Sequence, residues 1–135
     1  MGAIENKQLM QQIFAELAQG NSKPFVESMA DNFCWTVTGN TKWSKTYEGK
    51  EAVITDLFGE LRSRIAGQII TTAHRLIAED DLVVVEARGH NTTKKGLPYC
   101  NQYCFIFRLA EGKLQELTEY LDTELVTTVL DAPEI

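Results

Sequence analysis

The stretch from Gln68 to Asp122, QIITTAHRLIAEDDLVVVEARGHNTTKKGLPYCNQYCFIFRLAEGKLQELTEYLD, decides how this chain folds. It is rich in β-branched and aromatic residues and divides into four runs, Gln68 to Ala78, Leu82 to Thr92, Tyr99 to Leu109 and Leu114 to Asp122. The connectors Glu79-Asp80-Asp81, Thr93 to Pro98 and Ala110 to Lys113 are short enough for hairpins, which predicts an antiparallel meander of four strands.

Upstream of the meander the apolar period changes to that of a helix. Ile4 to Gln19 carries Leu9, Met10, Ile13, Phe14 and Leu17 on one stripe, and Gly20-Asn21 supplies a stop. A short second helix is expected next, opened by Ser22 or Lys23 with Pro24 in its first turn and burying Phe25, Val26 and Met29. Phe33 to Thr38 reads as a strand with Phe33, Trp35 and Val37 on one face, and Gly39 to Gly49 as a polar loop holding Trp43 and Tyr47. A third helix over Glu51 to Ile65 places Val53, Ile54, Leu57, Phe58, Leu61 and Ile65 on one stripe before Gly67 ends it. Asp122 to Leu130 predicts a short closing helix. Helices first and strands last mean an α+β fold with the helices covering one face of the sheet.

A length of 135 residues suits one domain spanning 1–135, and 44% hydrophobic with 24% charged residues suits a globular one. Thirteen Lys and Arg against 19 Asp and Glu leave a net charge of -6, which offers no basic surface for nucleic acid. No apolar run approaches the roughly 20 residues that cross a bilayer, and Met1 to Lys7 lacks a secretory pattern, so no membrane partner and a cytoplasmic location are expected. Cys34, Cys100 and Cys104 are odd in number and form no CxxC pair, so they read as buried thiols rather than disulfides or zinc ligands. With only His74 and His90 besides, no metal and no cofactor are expected. The sequon Asn91-Thr92-Thr93 reads as a chance match.

Two strands hold the ionisable residues that could carry chemistry. On Val83-Val84-Val85-Glu86-Ala87-Arg88-Gly89-His90, the side chains of Glu86, Arg88 and His90 share one face and those of Val83, Val85 and Ala87 the other. Such a row is either a solvated charge ladder or part of a site. On the last strand Glu119 shares a face with Leu117 and Leu121, where a carboxylate must be paired or have a raised pKa, the condition a general base needs. The opposite reading turns Tyr120 and Asp122 inward and leaves Glu119 on the surface. The strand before it offers the same choice, with Asn101, Tyr103 and Phe105 inside or Cys100, Cys104 and Ile106 inside.

This order of elements resembles the nuclear transport factor two-like superfamily and, within it, the SnoaL-like and ketosteroid-isomerase-related proteins. The resemblance rests on the Phe33 to Val37 strand with Trp35, on Tyr47-Glu48-Gly49-Lys50 leading into the third helix, on Gly96-Leu97-Pro98-Tyr99 with Asn101-Gln102-Tyr103, and on the ending Glu119-Tyr120-Leu121-Asp122-Thr123. It implies three N-terminal helices packed on a strongly curved, mainly antiparallel sheet, a cone with a central apolar pocket, and a homodimer formed through the outer sheet face. In the epoxide-hydrolase branch an Arg-x-Asp pair and a later Asp are catalytic. Arg88 matches the Arg, His90 stands in place of the first Asp and Glu119 in place of the second, so the acid that epoxide opening uses is missing.

The resemblance and the residues together lead to the expectation of an acid–base enzyme for a small hydrophobic molecule, performing isomerisation, dehydration, cyclisation or hydrolysis. Glu119, with His90, takes a proton or activates water, and Arg88 stabilises the oxyanion. Trp35, Tyr47, Phe58, Glu86, Asn101, Tyr103 and Leu121 are the expected substrate contacts. The competing reading is a non-catalytic binder of a hydrophobic ligand, or a structural dimer whose pocket its own side chains fill.

Overall fold

Alternation of apolar residues along four successive strands builds the sheet on which everything else rests. The computed structural model describes residues 2–132. Strands β4 (Thr71–Glu79), β5 (Leu82–Gly89), β8 (Gln102–Ala110) and β9 (Lys113–Leu121) are the four expected runs. They pair antiparallel in the order β9-β8-β5-β4, and β1 (Met29–Val37) adds to β9 in parallel. The sheet is completed by an edge strand, β2 (Thr46–Glu48), inside the stretch expected to be a loop, where Tyr47 lies opposite Trp35. The β8–β9 hairpin turns through Glu111 and Gly112, both at positive φ (52° and 74°), the backbone a tight two-residue turn requires.

Register shifts in β1, β4 and at the β8–β9 pair bend the strands, so the sheet curls with one concave face. That face is written by parity: Val85, Phe105 and Glu119 lie in one row across β5, β8 and β9, and Ala87, Tyr103 and Leu121 in the next. Helix α1 (Ala3–Leu17) buries Met10, Ile13 and Phe14 and lies across β4 and β5. Helix α2 (Lys23–Ser28), with Pro24 in its first turn, buries Phe25.

The third helix runs over 50–64, starting after Gly49 at φ 93°. Its middle, Val53–Phe58, is wound more widely, with Gly59 N donating to Ile54 O five residues back. That winding brings residues five apart onto one face, so Val53, Leu57 and Phe58 are all buried, whereas Ile54 and Leu61 of the expected stripe are only half-buried. Ile65 already belongs to the short strand β3 (Ile65–Ala66).

The second meander strand is shorter than expected. It ends at Gly89, and Asn91–Thr93 (β6) leaves the main sheet to pair with β3 and with β7 (Pro98–Tyr99). Asn91 carries the cause: its Oδ1 accepts from Ile70 N at 2.8 Å and its Nδ2 donates to Ile70 O at 3.3 Å, so the side chain turns the backbone. A Cβ on Gly89 would stand 3.1 Å from Asn91 Nδ2 and 3.4 Å from the Tyr103 ring, so a larger residue there would press on the side chain that turns the backbone. The buried, bonded Asn91 is also unsuited to serve as a glycan acceptor.

The closing helix over 123–130 starts on Asp122, whose Oδ1 accepts from the N–H groups of Glu124 and Leu125 at 3.1 and 3.3 Å. Cys34, Cys100 and Cys104 are free, but half-buried rather than buried, because Cys34 and Cys104 point to the outer face of the sheet and Cys100 lies in the link before β8. Among the described residues no helix is long and apolar enough to cross a membrane.

Candidate active site

Between the concave face and the helices lies a cavity of about 340 Å³. Its walls are apolar and heavily aromatic, with Phe14, Phe25, Trp35, Trp43, Phe58 and Phe105 among them. Trp35 meets Phe58 edge-on at 5.5 Å between ring centroids and Phe25 at 5.8 Å, an arrangement that fixes the rings as a rigid wall. Trp43, in the turn before β2, is held from behind. Its Nε1 donates to Asp131 Oδ2 at 2.9 Å, Arg64 bonds the same carboxylate, and Tyr47 OH donates to Trp43 O at 3.2 Å. The exposed lining residues Arg62, Gly67 and Gln68 mark the open side of the cavity, where Gln68 stands against Gly20. Gly20, at φ 81°, lets Gln68 approach, since a Cβ there would stand 2.5 Å from Gln68 Oε1.

Among the described residues, Glu119 is the single carboxylate lining this cavity. The alternation Leu117, Glu119, Leu121 turns it inward between Val37 of β1 and Phe105 of β8, where it is 7% exposed. Its backbone is pinned, because Thr38 N and Thr38 Oγ1 both donate to its carbonyl, at 3.1 and 2.8 Å. Its Oε1 accepts from Trp35 Nε1 at 2.8 Å, and no side-chain cation pairs with it among the described residues. Burial therefore dominates and pushes its pKa up to about 7, with the Trp35 hydrogen bond pulling the other way.

Two phenols share the cavity with it. Tyr99 is pushed up to about 12 and Tyr103 well above its ordinary value, in both cases mainly by burial, so both stay protonated; the two hydroxyls also bond each other, which lowers Tyr99 and raises Tyr103, the pattern of Tyr103 donating to Tyr99. Asn101, fully buried, sets the first of them. Its Nδ2 donates to Tyr99 OH at 3.0 Å and to Asp122 O at 3.1 Å, and its Oδ1 accepts from Gln102 N and Asp122 N. With that oxygen already accepting from Asn101, the phenolic proton of Tyr99 is left to point elsewhere.

The structure separates the three residues expected to act together. Glu119 is inside, but Arg88 and His90 are exposed and do not line the cavity. The reason is parity followed by the bend. With Val83, Val85 and Ala87 inward, Arg88 must point outward, and His90 lies past the end of β5, its N–H donating to Ile70 O at 3.0 Å. Glu86 is likewise corrected from substrate contact to the outer face, where it pairs with Arg75. Of the other expected contacts, Trp35, Phe58, Tyr103 and Leu121 line the cavity, whereas Tyr47 and Asn101 stand behind its wall and hold Trp43 and Tyr99. The sequence reading missed Tyr99 and Arg62. Tyr99 heads the run Tyr99 to Leu109 with the parity of Asn101, Tyr103 and Phe105, and Arg62 follows Phe58 by four residues and so borders the apolar stripe, so both carried a signal. Among the described residues no group of three or more His, Cys, Asp and Glu is placed to hold a metal ion.

No curated protein matches the sequence significantly. Solved structures share the fold at low identity. A protein described as a SnoaL-like polyketide cyclase from Jannaschia sp. CCS1 superposes with a TM-score of 0.78 at 21% identity, over 98% of this chain and 95% of that one. One described as an isomerase from Bacillus subtilis gives 0.74 at 18%, over 98% of both chains. TerC, co-crystallised with polyporic acid, gives 0.78 at 16%, over 93% and 98%. The SnoaL-like domain model matches residues 10–117, most of the helical layer and nearly all of the sheet, and the chain belongs to that family.

Proposed function

We propose that this chain is an acid–base enzyme that takes a proton from carbon next to a carbonyl in a small, largely apolar molecule, leading to isomerisation or cyclisation. The observation that carries the reading is Glu119: an inward carboxylate with one oxygen on Trp35, no cationic partner among the described residues and a pKa near 7. A base at that value is ionised in useful fraction at neutral pH and still basic enough to accept a proton from a carbon acid. Tyr99, whose oxygen accepts from Asn101 and Tyr103, supplies the O–H donor for the enolate oxygen that forms as the proton leaves, in surroundings dry enough to strengthen the bond. The product forms when the proton returns to a different carbon, or when the enolate carbon attacks a second carbonyl of the same molecule and the alkoxide formed there takes the proton back from Glu119. The cyclase and isomerase descriptions carried by proteins of this fold support the reaction class.

The test needs no natural substrate. Exchange of the α-hydrogens of 2-tetralone for deuterium, followed by NMR, should run faster with the enzyme than in buffer and should lose most of that acceleration in Glu119→Gln. If 2-tetralone and related cyclic ketones bind but exchange no faster than in buffer, a binding protein replaces the enzyme.

The same proposal takes 1–135 as one functional unit that assembles as a homodimer. Ile77 (54% exposed), Leu82 and Tyr120 (49%) leave apolar surface on the outer sheet face that a second copy would cover. Three unpaired thiols suit a reducing compartment such as the cytoplasm.

A further inference from the structure

The rim of the cavity holds one residue that the proton-transfer reading does not use. Arg62 is exposed, yet its guanidinium sits 5.8 Å from the centroid of the Phe58 ring, and that ring is itself cavity wall. The cation–π contact holds the guanidinium against the wall of the cavity. Among the described lining residues Arg62 is the sole cation and Glu119 the sole anion. Three of the other arginines have carboxylate partners: Arg64 with Glu60 and Asp131, Arg75 with Glu86, Arg108 with Glu116. Arg88 stands away from the cavity on the outer face. In a chain with 19 acidic residues, Arg62 has no acidic partner among the described residues.

Charge then gives the ligand a direction. An anionic group placed at the inner end would meet the Glu119 carboxylate in apolar surroundings, where repulsion is weakly screened. Placed at the mouth it meets a guanidinium whose fork of N–H donors matches a carboxylate. Ser22 and Gln68, which also line the cavity, offer polar side chains to the ligand.

We propose that the ligand of this cavity is an apolar molecule bearing one carboxylate, held at the mouth by Arg62 so that its uncharged, proton-yielding end reaches Glu119. This rests on the reading of the cavity as the substrate site and makes Arg62 a specificity-determining residue for it. The charge anchors one end and the base works at the other.

Calorimetric titration with two probes of one shape tests it, 2-naphthoate and its neutral counterpart 2-naphthamide, against the wild type and Arg62→Gln. The wild type should bind the carboxylate about five- to tenfold more tightly than the amide, as one partly exposed, charge-assisted contact allows. Arg62→Gln should lose that preference and keep its affinity for the amide, while Arg62→Lys should keep part of it. Equal binding of both probes by the wild type, or a preference that survives Arg62→Gln, would overturn the inference and leave the base assignment standing. Failure of both probes to bind would overturn the inference together with the substrate cavity it rests on. Loss of Glu119-dependent exchange with the carboxylate preference intact would remove the base and keep Arg62.

Discussion

Glu119 and Glu86 are the same residue type on one sheet, and they face opposite ways. Glu119 on β9 points into the concave side, among Leu117, Leu121 and Phe105, with a single neutral donor, and its pKa is pushed up to about 7. Glu86 on β5 points to the outer side, bonds Arg75 from the neighbouring strand, and is held below its ordinary value mainly by that hydrogen bond. Desolvation makes a proton acceptor of one, and a charged neighbour makes a permanent anion of the other. The lesson is that strand parity assigns chemistry here: a shift of one residue in register would exchange the two roles.

The largest consequence is kinetic. Glu119→Gln should slow exchange of 2-tetralone α-hydrogens by about 10²- to 10⁴-fold, the usual worth of a general base, while Glu86→Gln leaves the rate unchanged. Equal losses in the two variants, measured on folded protein, would break the comparison.

Stability should follow the same division. From the ordinary carboxylate value up to about 7, folded Glu119 keeps a proton that the unfolded chain has released, so stability falls as pH rises through that window and levels off above it. The loss reaches about 3 kcal/mol at most, from the free-energy value of each pKa unit. Chemical denaturation at pH 5 and pH 8 should show that drop in the wild type, and Glu119→Gln should flatten it and gain stability at pH 8. A wild type that is as stable at pH 8 as at pH 5, with no gain in the variant, would mean the carboxylate is solvated.

A smaller shift belongs to Trp35. Its Nε1–H bonds the ionised form of Glu119, so Trp35→Phe should move the pH midpoint of the exchange rate further upward, by about one unit. A downward shift would show that water, admitted by the smaller ring, outweighs the lost bond. The smallest effect lies outside, where Glu86→Gln, breaking an exposed ion pair, should leave Tm and its pH dependence as they are in the wild type.

Much of this was legible in the sequence, for physical reasons. Period-two patterning repeated across β4, β5, β8 and β9 names the meander, because each inward residue is replicated by its neighbours, and the α1 stripe Met10, Ile13, Phe14 names the layer that covers it. Alternation marks two faces without saying which is covered, so Glu119 and the pair Tyr120 and Asp122 stayed interchangeable until the helices were in place. The pattern also ran on past the point where the chain stops obeying it. Gly89 and Asn91 turn the backbone at the end of β5, and that turn takes His90 out of the row that spacing put it in. A short element such as β2 carries too few residues to show a period, so Tyr47 reads as loop, whereas Tyr99 lies in the expected run but belongs to β7, separated from β8 by Cys100 and Asn101.

The most direct test of the central claim is a titration of the Glu119 carboxyl carbon by NMR on protein labelled with ¹³C-glutamate, its signal identified by its loss in Glu119→Gln. A midpoint near 7, in apo protein with no ligand added, is the predicted result. A midpoint in the ordinary carboxylate range, shared with the exposed glutamates, would contradict it and leave the cavity without its base.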